Sequence, residues 1–199
     1  MINCPVCGAE APVNFRFTKL MACPHCKTLL FLEDDAVKHV GSKSSIVETP
    51  SLFSLGHRYR YREHILEAIG RIQFSYGRGY WDEWWMLTGT GAGVWVSVDE
   101  GDYAFESQVT IKTPLPDCER LDIGERLQVE NNNLRVSEIN QASCIGIEGS
   151  LPEVIFPGEK HHYVECSGVR GLLYTLECFE GQQQLYKGSW IDPFDIKPF

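Results

Sequence analysis

The chain has 199 residues, of which 43% are apolar, and a formal net charge of −9. This composition is typical of a globular protein with one domain or two. It contains no run of about 18 apolar residues, so we expect no transmembrane segment. The opening residues MINCPVCGAEAPV lack a basic-then-apolar signal pattern, so we expect a cytoplasmic protein. The acidic charge opposes nonspecific attraction to phosphate backbones, which disfavours nucleic acid as a partner.

The N-terminal part carries two CxxC pairs, CPVCG at 4–8 and CPHCK at 23–27. Zinc prefers four soft ligands in a tetrahedron at about 2.3 Å, and two such pairs supply four thiolates. Gly8 favours a tight turn after the first pair, since it has no left-handed backbone penalty. Residues 1–33 therefore resemble a zinc ribbon. The predicted ligands are Cys4, Cys7, Cys23 and Cys26.

Four thiolates leave the metal no open coordination position, so we predict one structural zinc ion rather than a catalytic one. A redox role for the CxxC pairs and replacement of one cysteine by His25 are the alternatives. Residues 34–51 are polar and contain Gly, Ser and Pro, which predicts a linker with one helical turn. We expect the ribbon to move partly independently of the remaining chain.

From residue 52 onward, short alternating segments separated by turn residues predict β structure throughout. The segment EHILEAIGRI is the nearest approach to a helix, but Gly70 and the alternating IQFSY after it favour a bent strand. Features of residues 52–117 recur in the same order in 118–199, and the prolines of PLPDCERLD mark the junction. The predicted fold class is mainly β: a zinc ribbon followed by a duplicated antiparallel β-sandwich or barrel-like unit with a C-terminal tail.

The stretch GYWDEWWMLTG at 79–89 places two acids among three tryptophans. On a strand, Trp81, Glu83 and Trp85 share one face, and Asp82 and Trp84 share the other. Such an acid could serve catalysis, a contact surface or a structural hydrogen bond.

Glu165 takes the place of Glu83 in the second half of the chain. A symmetric structural role is naturally duplicated, whereas a catalytic pair needs two different environments. We therefore interpret Glu83 and Glu165 as structural polar pins that accept hydrogen bonds from the backbone or from an arginine such as Arg71. The alternative is an enzyme that uses both carboxyl groups in a cleft between the two β units.

Three segments together resemble the bacterial domain-of-unknown-function 4178 family: Gly70 to Phe74, Trp81 to Trp84, and Val94 to Val96. Tyr163-Val164-Glu165 matches as the core of a second copy, so the resemblance covers roughly residues 52–192 as two tandem copies. It implies a non-catalytic bacterial module, for which an N-terminal zinc ribbon is a familiar companion. Some relatives are encoded near polyamine-synthesis enzymes and membrane-associated stress proteins, which implies a place in such an assembly.

These observations predict a zinc-binding interaction or scaffold module with a protein partner. Peripheral membrane association would then come through that partner. Nucleic-acid binding through the ribbon is a further alternative. The candidate interaction surface combines a row of arginines in HRYRYREH, the tryptophans and the aromatic tail: Arg58, Arg60, Arg62, Trp81, Trp84, Trp85, Phe194 and Phe199.

The remaining cysteines, Cys118, Cys144, Cys166 and Cys178, have no ligand spacing and are interpreted as buried small hydrophobes. His161 and His162 are adjacent, so on a strand they point to opposite faces and cannot easily share one metal ion.

Overall fold

The computed structural model describes residues 1–13, 17–33, 36–112, 114–179 and 181–199, with only the backbone at 36 and 38–41. Strands dominate these residues, so the mainly β prediction is confirmed. In chain order the strands are β1 (Ile2–Asn3), β2 (Glu10–Ala11), β3 (Leu20–Ala22), β4 (Thr28–Glu33), β5 (Ala36–Lys43), β6 (Arg58–Tyr61), β7 (His64–Ser75), β8 (Tyr80–Thr88), β9 (Gly93–Asp99), β10 (Asp102–Val109), β11 (Arg126–Val129), β12 (Asn132–Leu151), β13 (Lys160–Ser167), β14 (Leu172–Phe179), β15 (Gln182–Ile191) and β16 (Ile196–Pro198).

Eight of these strands form a closed ring. Antiparallel pairing runs in the order β7-β8-β9-β10-β15-β14-β13-β12, and β12 also pairs with β7. In that last pairing Ile147 lies opposite Ile72 and Glu148 opposite Arg71. A sheet that closes on itself has an inner and an outer face, and an eight-stranded one leaves room inside for side chains or one small ligand.

The ring closes where the backbones of β7 and β12 approach each other at glycines. A Cβ atom on Gly70 would lie 2.2 Å from the backbone oxygen of Ser150, so only glycine fits there. Gly149, its partner in the register, has a φ of +68°, which favours glycine as well. The pairing of β7 with β8 shifts register between Ala68 and Gly70. The bent strand predicted for this segment is confirmed.

Two apolar clusters cover the outer face of the ring. One lies under β6 and β16 and contains Phe53, Trp84, Met86 and Ile196. The other lies under β11 and the preceding loop and contains Leu121, Leu134 and other apolar side chains. The tail therefore docks on the body through β16, which pairs with β6, while Phe194 stays 81% exposed.

The ribbon packs directly against the ring. Strand β3 pairs with the end of β12, where Leu20 lies opposite Leu151. Leu20 and Leu29 also share one buried cluster with Ile72 and Phe74 of β7. The expected partial independence of the ribbon is therefore wrong, because its apolar side chains complete the core of the ring.

Residues 34–51, expected to be a linker with a helical turn, instead contain strand β5, apart from the two at 34–35 that lie outside the described residues. The segment after β5 is fastened across β7, β8 and β12. Ser44 donates a hydrogen bond to the carbonyl of Ile147 at 2.7 Å. The side chain of Gln73 pairs with both backbone groups of Val47, at 2.7 and 3.0 Å. We call residues 44–49 the strap.

Two of the four remaining cysteines are bonded to each other. Cys118, in a short 3₁₀ turn after β10, forms a disulfide with Cys178 on β14. Their interpretation simply as buried small hydrophobes is wrong, because the fold brings together residues that are 60 positions apart and whose spacing gives no signal. Cys144 and Cys166 are free and buried, as expected.

We predict that Gln73→Ala destabilises the protein by about 1–3 kcal/mol, because it removes the buried amide that pairs with the Val47 backbone and donates to Asp82. Chemical denaturation measures the loss, and hydrogen exchange at the Val47 amide localises it. Gln108→Ala, at an exposed glutamine, is the control and should change stability little. Equal effects of the two substitutions would contradict the role given to the strap.

A carboxyl-lined cavity and a four-cysteine metal site

The four ribbon cysteines form a site whose geometry fits a metal ion. Their sulfur atoms all lie within 4.8 Å of one another. The Sγ atoms of Cys4 and Cys26 are 3.7 Å apart, and those of Cys7 and Cys23 are 3.8 Å apart. A tetrahedron with metal–sulfur bonds of about 2.3 Å has sulfur–sulfur edges of about 3.8 Å.

The backbone holds each pair of cysteines in a tight turn. The Gly8 amide donates to the Cys4 carbonyl at 2.8 Å, and the Lys27 amide donates to the Cys23 carbonyl at 2.9 Å. Gly8 has a φ of +73°, as expected from its freedom in the left-handed region. The chain thus presents four thiolates to one point, and this donor set suits a soft metal.

The interior of the ring contains a cavity of about 300 Å³. Side chains alternate between the faces of a strand, so residues two apart line it together. Strand β13 contributes His161, Tyr163 and Glu165, and the neighbouring β14 contributes Thr175, Glu177 and Phe179. The cavity is therefore the inner face of the ring rather than a surface groove.

Acidic side chains dominate the polar part of this lining. None of the described lining residues is a lysine or an arginine, and His161 is the one histidine among them. The acids come from strands all round the ring and from the loop after β12. They are Glu83, Asp99, Asp102, Glu106, Glu138, Glu153, Glu165 and Glu177.

Glu83 and Glu165, the predicted polar pins, both line this cavity. The indole nitrogen of Trp81 donates to Glu83 at 3.0 Å. Glu165 has no side-chain hydrogen bond among the described residues. The structure therefore brings the two carboxyl groups to one cavity, with His161 on its wall.

Arg71 does not bind Glu83, so that expected partner is wrong. Its guanidinium donates two hydrogen bonds to Asp82, at 2.8 and 2.7 Å. The register explains the choice, since Gln73 lies opposite Asp82 and Ile72 opposite Glu83. Arg71 and Asp82 thus share the outer face, where Thr49 of the strap completes their network.

Glu106 reaches its position because its neighbour is a glycine. The hydroxyl of Thr175 donates to the Glu106 carboxyl at 2.7 Å. Gly188 lies opposite Glu106 in the register, and a Cβ atom there would meet the Glu106 side chain at 2.7 Å. Because Gly188 has no side chain, the Glu106 side chain can extend across β15 toward β14.

Burial and mutual repulsion make these carboxyl groups hard to ionise. Burial, together with the charge of Glu106, holds the pKa of Glu83 well above its usual range. Burial also raises the pKa of Glu165 to about 8, with the nearby Glu138 adding to the shift. The pKa of Glu177 is raised for the same main reason, and nearby acids contribute. Several of these groups therefore carry a proton near neutral pH.

His161 is a buried, neutral imidazole beside the acids. It is 3% exposed and stacks on Phe179 at a centroid distance of 4.6 Å. Its Nε2 lies 3.9 Å from the Glu177 carboxyl, and its Nδ1 has no hydrogen-bonding partner in the described part of the chain. Burial lowers its pKa to about 4. His162 is partly exposed, in keeping with the expected opposite faces.

The candidate interaction residues do not form one surface. On β6, Arg58 and Arg60 are exposed and the two tyrosines that alternate with them are buried, while Arg62 follows the strand in a turn. Trp84 is 2% exposed within an outer cluster, and Trp81 faces the cavity. Of the remaining three residues, Phe199 is the one that contacts an arginine of β6. Trp85 packs on Trp95 inside the ring, Phe194 is exposed, and Phe199 lies against Arg60 at 5.1 Å.

Sequence reasoning missed most of the cavity acids. Glu106, Glu138 and Glu177 each stand two residues from another inward-facing position on a strand, a signal that alternation alone provides. The sequence does not show which face closes inward, and it therefore does not show that these acids meet.

The fold and the site define a class of protein: a closed antiparallel β domain with an acidic interior, joined to a four-cysteine ribbon. The family described as Domain of unknown function (DUF4178) matches residues 54–193, and the chain belongs to this family. The match runs once across both halves, so two tandem copies stay a prediction. No curated protein and no solved structure shows a significant match to the chain. No helix in the described ranges has the length and apolar character needed to cross a membrane.

We predict that Glu165 makes the protein less stable as the pH rises. Its pKa of about 8 in the folded state lies above the model-compound value of 4.5, so its favourable contribution is full below pH 4.5 and is lost as the pH rises through 8. Between about pH 5 and pH 9, the free energy of unfolding of Glu165→Gln should therefore fall by about 4 kcal/mol less than that of the wild type.

Denaturant unfolding at both pH values measures this difference. Glu63→Gln, at an exposed carboxyl, is the matched control and should follow the wild type. If the free energy of unfolding changes equally with pH in the wild type and in Glu165→Gln, the interior does not shift the pKa of Glu165.

Proposed function

We propose that the protein is a binding module whose ring holds a small molecule in its interior. The cavity of about 300 Å³ inside the ring carries this proposal. Ligand sites generally range from about 300 to 1,000 Å³ and combine apolar walls with a few polar groups. Here Trp81, Trp95 and Tyr186 supply apolar wall, and the carboxyl groups supply polar contacts.

We favour binding over catalysis because burial shifts the pKa values of the two corresponding acids in the same direction. Glu83 and Glu165 both have raised pKa values, chiefly through burial. A general acid and a general base instead need environments that push their pKa values apart. A protein partner also stays part of the proposal, supported by the exposed Phe194 on the tail.

An enzyme is the second candidate, because one observation favours it. Glu83 and Glu165 line the same cavity as His161, so an acid and a base could reach one substrate there. Turnover of a bound molecule that is lost in Glu83→Gln or Glu165→Gln would support this function over simple binding.

We propose that the ribbon binds zinc and that the ion is structural. Four thiolates with tetrahedral spacing suit zinc and leave no position for water or substrate. Structural zinc in small modules contributes about 10 kcal/mol or more to folding. Because the ribbon shares a cluster with Ile72 and Phe74, part of that stabilisation extends to the ring.

We predict one zinc ion per chain in protein purified without chelators, and its loss from a Cys4→Ser, Cys23→Ser double variant. The melting temperature should fall, and the near-ultraviolet signal of the ring tryptophans should change, because the ribbon packs on the ring. Metal analysis and circular dichroism measure the two effects. Substituting the free buried Cys144 and Cys166 by Ser is the control for zinc content, which should stay at one. Zinc-free but fully stable protein would contradict the assignment.

The binding proposal is tested by filling the cavity. Ser97 faces it from β9, so Ser97→Phe should occupy the ligand space. Ser107→Phe places the same side chain at an exposed position on β10 and is the matched control. We expect native mass spectrometry and thermal-shift screening to detect small molecules bound to the wild type and to Ser107→Phe. Ser97→Phe should not bind them, and equal binding by all three proteins would reject an interior site.

A further inference from the structure

Several cavity acids lack a hydrogen-bonding partner in the described part of the chain. Glu165 and Glu153 have no side-chain hydrogen bond among the described residues, and the nearest polar neighbour of Glu177 is His161 at 3.9 Å. Buried carboxyl groups are ordinarily hydrogen-bonded or paired, because an isolated one costs several kcal/mol to bury. The interior therefore holds several carboxyl groups without a hydrogen-bonding partner among the described residues.

Aromatic rings line the same cavity as these acids. Trp81 stacks on Phe74 at 5.0 Å and lies 5.4 Å from Tyr163. The face of an aromatic ring attracts a cation, and carboxylates nearby strengthen that attraction. Apolar walls combined with spread acids favour an occupant that has both carbon and positive charge.

The spacing of the acids disfavours a bare metal ion. In the described part of the chain, the ribbon cysteines are the one group that brings three or more His, Cys, Asp or Glu ligand atoms within 4.8 Å. The cavity carboxyl groups are spread more widely than a compact coordination shell requires. A larger cation could reach them from separate nitrogen atoms.

We propose that the cavity binds a small organic cation bearing ammonium or guanidinium N–H groups; this inference rests on the interior site of the proposed function. N–H groups suit the site better than a quaternary ammonium does, because carboxylates accept charge-assisted hydrogen bonds. The unpartnered Nδ1 of the neutral His161 is a further hydrogen-bonding group, which independently indicates a missing ligand.

A neutral polyol is the main competing occupant, because protonated carboxyl groups can donate to hydroxyls. A cation is favoured because it offsets the repulsion among the acids on the ring, which a polyol leaves in place. Binding a cation also favours the ionised carboxylates, so protons should be released on binding near neutral pH.

The test is calorimetric titration of the full, zinc-loaded chain with matched probes. 1,5-Diaminopentane and arginine methyl ester are the cations, 1,5-pentanediol is the neutral isostere, and glutarate is the anion. Tetramethylammonium and Mg²⁺ complete the series. We expect at least one N–H cation to bind at least tenfold more tightly than every other probe, with proton release that shows in buffers of different ionisation heat.

Single variants then separate binding from folding. Glu83→Gln and Glu165→Gln should each weaken the cation at least tenfold, because a hydrogen bond to a charged group is lost. The folded state should keep or gain stability, since a buried acid is removed. Glu63→Gln should leave affinity unchanged. Loss of stability with unchanged affinity would mean that the two acids are structural only, and would overturn the inference.

The outcomes distinguish this inference from the proposed function. Suppose that the diol, the anion or Mg²⁺ binds as tightly as the cations do, and that Ser97→Phe abolishes this binding. The interior site is then supported, and the preference for an organic cation is wrong. If neither cation binds, the inference also fails. If no probe and no co-purified molecule binds more tightly to the wild type than to Ser97→Phe, the interior site itself is rejected.

Discussion

The pairing of β7 with β12 is the constraint on which the rest of the structure depends. It joins strands from the two halves of the chain and converts an open antiparallel sheet into a ring. Once the ring closes, each strand has one face inside and one outside. The close approach of the two backbones requires Gly70 and Gly149, so a small set of positions determines whether an interior exists.

Closure divides the polar groups into two sets with different roles. On the outside, Arg71, Gln73 and Asp82 are buried and satisfy one another beneath the strap, so they stabilise the fold. On the inside, Glu83 and Glu165 face a cavity that no basic side chain among the described lining residues enters. Adjacent residues of β8 thus have different roles. Asp82 binds Arg71 and the strap on the outer face, and Glu83 lines the cavity.

The sequence predicts whatever depends on local spacing. The cysteine pairs predict the metal site, and alternation predicts that Trp81 and Glu83 share a face, as they do. It does not predict contacts between distant segments, because several registers satisfy the same alternation. The ring closure, the Cys118–Cys178 bond and the docking of the strap all belong to that class. The prediction that Arg71 binds Glu83 failed for the same reason. The register decides which acid lies on the same face as Arg71, and that acid is Asp82.

An interior with several unpaired acids opposes folding, so stability has to come from elsewhere in the molecule. The two outer clusters, the strap network and the ribbon cluster supply apolar burial and satisfied hydrogen bonds away from the cavity. Sites that break a local rule while the surrounding structure follows it are typically functional. Several carboxyl groups of the ring break such a rule, because no side-chain hydrogen bond from the described residues compensates them. A ligand that neutralises them would stabilise the folded state by mass action. The same carboxyl groups would then lower the stability of the ligand-free protein and bind the ligand.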